Sequence, residues 1–211
     1  MTLEDVSFPV PQENLDRDEA LLIAADRGSG GEVLRFWESP SVFVVLGRTG
    51  SAGDDVDQAA AARDGLPVLR RTSGGGTVLQ GPGCLNFAVV LNKKRDPALE
   101  TINGTYRYVL ERVLKGLQTI GIDGVFRPVC DLALAADDRK FSGNAQRRGR
   151  EHILHHGTLL YGFDLALVSR YLKLPKKMPE YRSARPHGAF VTNIPAAPAA
   201  LRRVITSQFS G

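Results

Sequence analysis

Two stretches of this chain hold residue types that could do chemistry together. The first, RRTSGGGTVLQGPGCLNF at residues 70–87, sets Arg70, Arg71 and Ser73 against three consecutive glycines, Gly74, Gly75 and Gly76. Glycine admits positive φ and lets a ligand reach the backbone without meeting a Cβ. Guanidinium groups suit the paired oxygens of a carboxylate or phosphate. The run is not a Walker loop, because no Gly-Lys-Ser/Thr follows, and it lacks the G-x-G-x-x-G spacing of a dinucleotide fingerprint. Read alone, it fits a phosphate, an acyl chain or a plain hairpin turn.

The second stretch, DDRKFSGNAQRRGREHILHHGTLLY at residues 137–161, carries one lysine, Lys140, followed by the small residues Ser142, Gly143, Asn144 and Ala145. Small residues there let a flat or narrow ligand lie along a strand. A lysine in a glycine-lined cleft is a point charge suited to a carboxylate or an α-phosphate oxygen. The basic run Arg147-Arg148-Gly149-Arg150 fits either an acidic partner surface, nucleotide phosphates, or a solvated hairpin end. His152, His155, His156 and His187 follow no zinc-binding spacing, so no protein-held metal is expected from them. Cys84 and Cys130 are too few for a disulfide framework and form no CxxC pair.

Composition narrows the class of protein. Hydrophobic residues make up 43% and charged residues 24%, as in an ordinary globular chain. The net charge of +4 is compatible with an acidic protein partner or an anionic substrate and is too small to argue for nucleic acid. Arginine supplies 20 of the 27 basic residues, which favours forked contacts with carboxylate and phosphate. No apolar run approaches the roughly 18 residues of a membrane span. The acidic start, MTLEDVSFPVPQENLDRDEA, lacks a secretion pattern, so a cytoplasmic protein with no membrane partner is expected.

The elements that must position these residues can be read from periodicity. Residues 12–27 read as a helix stopped by Gly28, Gly30 and Gly31, and EVLRFW and SVFVVLG read as strands. DVDQAAAARDG reads as a short helix with Asp54 or Asp55 as N-cap. LPVLRR, GGTVLQ and LNFAVVL read as strands between glycine turns. Residues 100–120 give the strongest helix, with Ile102, Tyr106, Val109, Leu110, Val113 and Leu117 on one face and Gly121 closing it. GVFRPV, a hairpin turning at Asp137-Asp138, and HHGTLLYGF supply further strands. Asp164 can cap a helix running to Lys173, and a last helix covers residues 198–208. Strands and helices do not alternate regularly, which predicts one α+β domain over residues 1–211 with a mostly antiparallel sheet flanked by helices.

The three segments RRTSGGGTVLQGPGCLNF, CDLALAADDRKFSGNAQ and HHGTLL, in that order, resemble the signature of lipoate–protein ligases, within the biotin/lipoate ligase and octanoyltransferase superfamily. The resemblance runs from Trp37 to the FVTN of residues 190–193. It implies the catalytic-domain fold of that superfamily and a two-step reaction. Lipoate or octanoate attacks the α-phosphate of ATP, with Mg²⁺, to give an acyl-adenylate. A lysine of a lipoyl carrier then takes the acyl group and releases AMP. The implied carrier is an E2 lipoyl domain, a glycine-cleavage H protein or a lipoate-binding protein.

By position, the resemblance assigns Arg71, Ser73 and Gly74 to Gly76 to a ligand cradle and Asn86 to the adenylate phosphate. Lys140 falls on the catalytic lysine, and Asp131 on an aspartate that orients Lys140 or holds Mg²⁺. Ser142, Gly143, Ala145, His156, Gly157 and Thr158 are expected to line the pocket. Cys130 stands where the ligase pattern has asparagine, close to the region in which one branch of octanoyltransferases keeps its acyl-carrying cysteine. The alternative is therefore an octanoyltransferase passing octanoate from acyl-carrier protein through a Cys130 thioester, with Lys140 or Arg127 activating the thiol. The ligase reading is favoured because KFSGNAQRRGR and LHHGTLLY resemble the ligases more closely. Many ligases carry a C-terminal accessory domain, and none is expected in the short tail after the motifs. That predicts a self-sufficient minimal ligase or the large subunit of a two-protein one. A non-catalytic acyl- or nucleotide-binding subunit is the third reading.

Overall fold

Eight consecutive buried residues, from Cys84 to Leu91, mark the centre of the molecule, because only a strand covered on both faces can be apolar without alternation. The computed structural model describes residues 1–210. In chain order its elements are β1 (Thr2–Asp5), α1 (Pro11–Asp26), β2 (Val33–Trp37), β3 (Phe43–Leu46), α2 (Ala52–Asp55) and α3 (Gln58–Arg63). They continue with β4 (Val68–Arg70), β5 (Val78–Gln80), β6 (Cys84–Asn92), α4 (Ile102–Gln118), β7 (Gly124–Arg127) and β8 (Asp131–Leu134). The remainder are β9 (Lys140–Arg148), β10 (His152–Leu160), α5 (Ala166–Tyr171), α6 (His187–Phe190) and α7 (Pro198–Phe209).

A seven-stranded sheet runs in the order β1-β2-β6-β10-β9-β8-β7, and a three-stranded sheet in the order β4-β3-β5. Pairing is antiparallel except for β1 with β2 and β3 with β4, so the sheets are mixed. One face of the large sheet, with Leu85, Phe87, Val89 and Leu159, packs on Val109, Val113 and Leu117 of α4 and on Leu201 and Ile205 of α7. The other face, with Ala88, Val90 and Leu154, packs on Leu21, Leu22 and Ala25 of α1. Farther along that second face the small sheet covers it, through Val44, Leu46 and Leu79 against Cys84, and Phe43 and Val45 against Trp37. The functional face lies where α1 gives way to the small sheet.

The helix expected to be capped by Asp54 or Asp55 is divided. Both aspartates lie inside α2, and the N-cap of α3 is Asp57, which accepts from the Ala60 N–H at 2.9 Å. Val56 between them is fully buried and extended, bridging to Leu172, and an extended residue cannot continue a helix. The same bridge stops α5 at Tyr171, short of the expected Lys173, while Asp164 accepts from the Ala166 N–H at 3.0 Å.

Arg35 of β2 is fully buried on the α1 face. It donates to Asp18 Oδ1 at 2.5 Å, to Asn14 O and Oδ1 at 3.0 Å each, and to Val6 O at 3.1 Å, which ties α1 to the sheet. A second carboxylate, Glu4, lies with Oε1 3.2 Å from Arg35 Nε, so the loss of Asp18 removes the hydrogen-bonded half of the compensating charge. Asp18→Ala is expected to lower unfolding free energy by about 3 kcal/mol, the low end for a broken buried pair, measured by urea denaturation with an unchanged m-value.

Candidate active site

The strand registers draw a single row across the large sheet. Asp131 pairs with Gly143, Gly143 with Thr158, Thr158 with Asn86, and Asn86 with Trp37. Directly paired residues share a face, so these side chains project together over roughly 19 Å, from the usual strand spacing. Lys140 and Gly143 are three residues apart, and strict alternation would place them on opposite faces. An irregularity between β8 and β9 prevents this. Leu132 pairs with Ser142 and Ala133 with Lys140, which leaves Phe141 as an extra residue. Lys140 therefore joins the row. Its Nζ donates to Asp131 Oδ1 at 2.7 Å and would lie 3.0 Å from a Cβ at Gly143.

Polar contacts continue the row. Thr158 Oγ1 donates to Asn86 Oδ1 at 2.7 Å, and Gln80 Nε2, reaching over from β5, donates to Thr158 Oγ1 at 2.6 Å. Asn86 itself donates to the Cys84 carbonyl at 3.3 Å. The next register row holds Ala145, His156, Ala88 and Arg35. His156 links two layers, with Nδ1 3.4 Å from Asp18 Oδ2 and Nε2 2.6 Å from Ser73 Oγ. In the neutral ring, a proton on Nδ1 toward Asp18 leaves Nε2 to accept from the Ser73 hydroxyl.

The glycine loop roofs these rows. Gly74, Gly75 and Gly76 are exposed, and Gly75 takes φ +88°. A Cβ at Gly47 would meet the Gly75 carbonyl at 2.1 Å, so the close approach of loop and β3 end depends on glycine there. Arg71 lies under the loop, donating to the carbonyls of Gly74 at 2.6 Å and Gly76 at 2.8 Å and to Ser73 Oγ at 3.0 Å. Burial pulls its pKa down to about 10, still far above neutrality, and no carboxylate is among its partners. The site thus holds a cation satisfied by neutral oxygens, an arrangement that favours an incoming anion.

Other expected site residues fall elsewhere. Ser142 and Gly157 point to the opposite face, toward the α4 core. Ser142 accepts from Asn144 at 3.1 Å, and a Cβ at Gly157 would meet Asn144 Oδ1 at 1.8 Å and Phe87 at 2.9 Å. Their smallness serves packing, not a pocket wall on the Lys140 face. His155, also on that face, is fully buried and its pKa is pushed down to about 3 by burial, so it stays neutral. Arg127, expected as a possible activator of Cys130, pairs with Asp138 at 2.5 Å. Arg147 pairs with Glu19, and Arg148 donates to the Leu99 and Glu100 carbonyls at 2.6 and 3.0 Å, so both are held within the fold.

Burial first, then the charge of Asp131, pushes the Cys130 thiol up to about 11, against weaker pulls from Lys140 and Arg71. At neutral pH that leaves roughly one thiolate in ten thousand. Cys84 is fully buried, and burial pushes its thiol up as well. Asp131 does not fit the expected magnesium ligand. Its Oδ1 meets the Lys140 ammonium, and its Oδ2 accepts from Tyr181 Oη at 2.7 Å. No cluster of three His, Cys, Asp or Glu side chains suited to a metal occurs among the described residues. No helix among them is long and apolar enough to cross a membrane.

Residues 10–206 match the family model described as the lipoyl protein ligase A/B catalytic domain. The chain belongs to that family. It is 30% identical to the lipoate-protein ligase A of Blochmanniella floridana over 169 residues, covering 79% of this chain and 47% of that protein. It is 28% identical to the octanoyltransferase LipM of Geobacillus kaustophilus over 204 residues, covering 86% and 72%. Among solved structures, it superposes with TM-score 0.83 and 25% identity on a bipartite lipoate protein ligase of Thermoplasma acidophilum, solved in a study of that ligase and its E2 lipoyl domain. That likeness covers 99% of this chain and 82% of the other. A lipoate-protein ligase A bound with ATP gives TM-score 0.83 and 25% identity, covering 99% and 83%. The chain spans about half the length of the ligase relatives it matches.

Four residues that meet at this candidate site escape sequence reading: Gly47, Gln80, Tyr181 and Asp18. They reach the site from β3, β5, a late connection and α1. The bare Cα of Gly143 gives a direct check on the Lys140 placement. Gly143→Ala puts a methyl against the end of a flexible side chain, so the thermal midpoint is expected to stay within about 3 °C while the Lys140 ammonium signal shifts in nitrogen NMR; an unmoved signal contradicts the placement.

Proposed function

We propose that this chain is the catalytic unit of an ATP-dependent lipoate–protein ligase. Its substrates are lipoate or octanoate, ATP and an apo lipoyl-carrier protein. The carboxylate oxygen attacks the α-phosphorus and pyrophosphate departs. The neutral amine of a carrier lysine then attacks the acyl carbonyl, AMP departs, and the amine loses a proton. Fixed cations and backbone N–H groups are what such crowded negative charge requires.

The observation that carries this reading is the pair of cations on one side of the large sheet. Lys140 lies over Gly143 on the sheet, and Arg71 lies under the glycine loop with no carboxylate partner. Lys140 is assigned to the acyl carbonyl and α-phosphate, Arg71 and the Gly74–Gly76 backbone to the phosphate oxygens, and Asn86 and Thr158 to the polar floor. Asp131 orients Lys140. Magnesium belongs to the nucleotide in this reading, and no step is drawn through it. The likeness to an ATP-bound ligase supports ATP as the activating substrate. The likeness to a bipartite ligase supports an accessory ligase subunit on a separate polypeptide as an added requirement.

The octanoyltransferase reading keeps one specific support, a LipM relative together with a cysteine beside Asp131. The thiol's raised pKa weighs against it. The test mixes the chain with ATP, Mg²⁺, lipoate or octanoate and an apo lipoyl domain, with and without an added accessory subunit, and follows carrier mass. ATP-dependent modification is expected, reduced about 100-fold or more in Lys140→Ala and unchanged in Cys130→Ser. Modification only from octanoyl-acyl-carrier protein, abolished in Cys130→Ser, overturns the ligase reading in favour of the transferase. Ligand binding without turnover, accessory subunit included, points to the non-catalytic subunit.

A further inference from the structure

Residues 175–193 come back from α5 to the Lys140 end of β9 and grip the site twice. The Thr192 N–H donates to the Lys140 carbonyl at 2.9 Å, and Tyr181 Oη donates to Asp131 Oδ2 at 2.7 Å. The segment is itself anchored. Arg185 donates to the Asp137 and Asp138 carbonyls in the β8–β9 turn at 3.1 and 3.0 Å, and the Tyr181 ring packs on Phe190 with centroids 5.3 Å apart. Tyr181 is half-buried, and burial followed by the Asp131 charge pushes its pKa up, so its hydroxyl remains a donor across the working range.

We propose that Tyr181 is a positioning residue of the reaction: its hydroxyl occupies Oδ2 of Asp131, which fixes the carboxylate plane and leaves Oδ1 as the one oxygen turned to Lys140. This rests on the reading of Lys140 as the catalytic cation. The logic is that of a carboxylate with two donors. One donor on each oxygen fixes the rotation of the carboxylate about its Cβ–Cγ bond. Without the tyrosine hydroxyl, Oδ2 is free to compete for the lysine, and the carboxylate no longer holds the ammonium at one place over Gly143. The groups facing or bordering Asp131 are Lys140 on β9, Tyr181 and Arg182 on the returning segment, and the adjoining Cys130. Arg182 and Cys130 are the same in wild type and variant, so a change follows the tyrosine.

Tyr181→Phe removes the hydroxyl and keeps both the ring contact with Phe190 and the Thr192 backbone bond. Two measurements are made. The Lys140 ammonium is followed by nitrogen NMR on the whole chain, with Lys140→Arg to assign the signal. In Tyr181→Phe its protons are expected to exchange with solvent about ten-fold faster, because the ammonium is no longer held on one carboxylate oxygen. An unchanged exchange rate overturns the proposal whatever reaction the chain performs. Steady-state kinetics then use whichever acyl donor supports carrier modification. The expected result is a kcat about ten-fold lower with carrier KM within about two-fold. The double variant Tyr181→Phe/Asp131→Asn is expected to be no slower than Asp131→Asn alone, since Tyr181 acts through Asp131. Additive losses, or an unchanged kcat in Tyr181→Phe, overturn the proposal. Full activity in Lys140→Ala instead refutes the functional reading of the site, with the NMR result standing apart.

Discussion

The placement of Lys140 depends on one extra residue in β9. Because side chains alternate along a strand, a lysine and a glycine three positions apart face opposite ways in regular pairing. Phe141, inserted opposite Leu132, turns the strand by one position. Phe141 and Ser142 then both point into the α4 core, Phe141 completely buried, and Lys140 swings onto the face shared by Gly143, Thr158 and Asn86. The apolar anchor on one side of the sheet thus secures the cation on the other. Asp131, the partner of Gly143 on β8, meets that cation without leaving its own strand register.

The rest of the site is a matter of layers held at a fixed spacing. α1 and the small sheet share one face of the large sheet, and the polar rows lie along the boundary between them, with Lys140 part-exposed and Asn86 and Asp131 buried. Asp18 joins these parts, since one oxygen binds the buried Arg35 and the other faces His156, which in turn meets Ser73 at the base of the glycine loop. The floor is therefore tied to both layers. The roof differs, because its exposed glycines are held mainly by the guanidinium of Arg71 on carbonyl oxygens, contacts that an anionic ligand can replace in kind. Electrostatics separate the two nucleophile readings on the same ground. Lys140 and Arg71 both favour negative charge near Cys130, yet burial and the neighbouring Asp131 outweigh them there.

Much of this was legible in residue types. The periodicity of Tyr106, Val109, Leu110, Val113 and Leu117 gives α4, and the Asp137-Asp138 turn joins β8 to β9, with Asp138 at φ 55°. The glycine run and the small residues after Lys140 pointed to close backbone approach. What failed had local causes. Ser142 and Gly157 have the same small size as Gly143 and Thr158, and size does not say which face a residue takes once a bulge intervenes. Asp54 and Asp55 look as good an N-cap as Asp57, and only the bridge from Val56 to Leu172 selects among them. Arg127 sits three residues from Cys130 and yet turns to Asp138 across the hairpin.

Taken alone, the sequence determined the α+β class, the long helices α1 and α4, the glycine loop and the family, because these follow from periodicity, backbone freedom and the ordered motifs within one chain segment each. The tertiary structure decided which residues face one another. Tyr181 reaches Asp131 across 50 positions, Gln80 reaches Thr158 across 78, and Asp18 reaches His156 across 138. No local pattern records such contacts. They arise from sheet order and from a single register shift, and both are set by how the two faces of the sheet are buried.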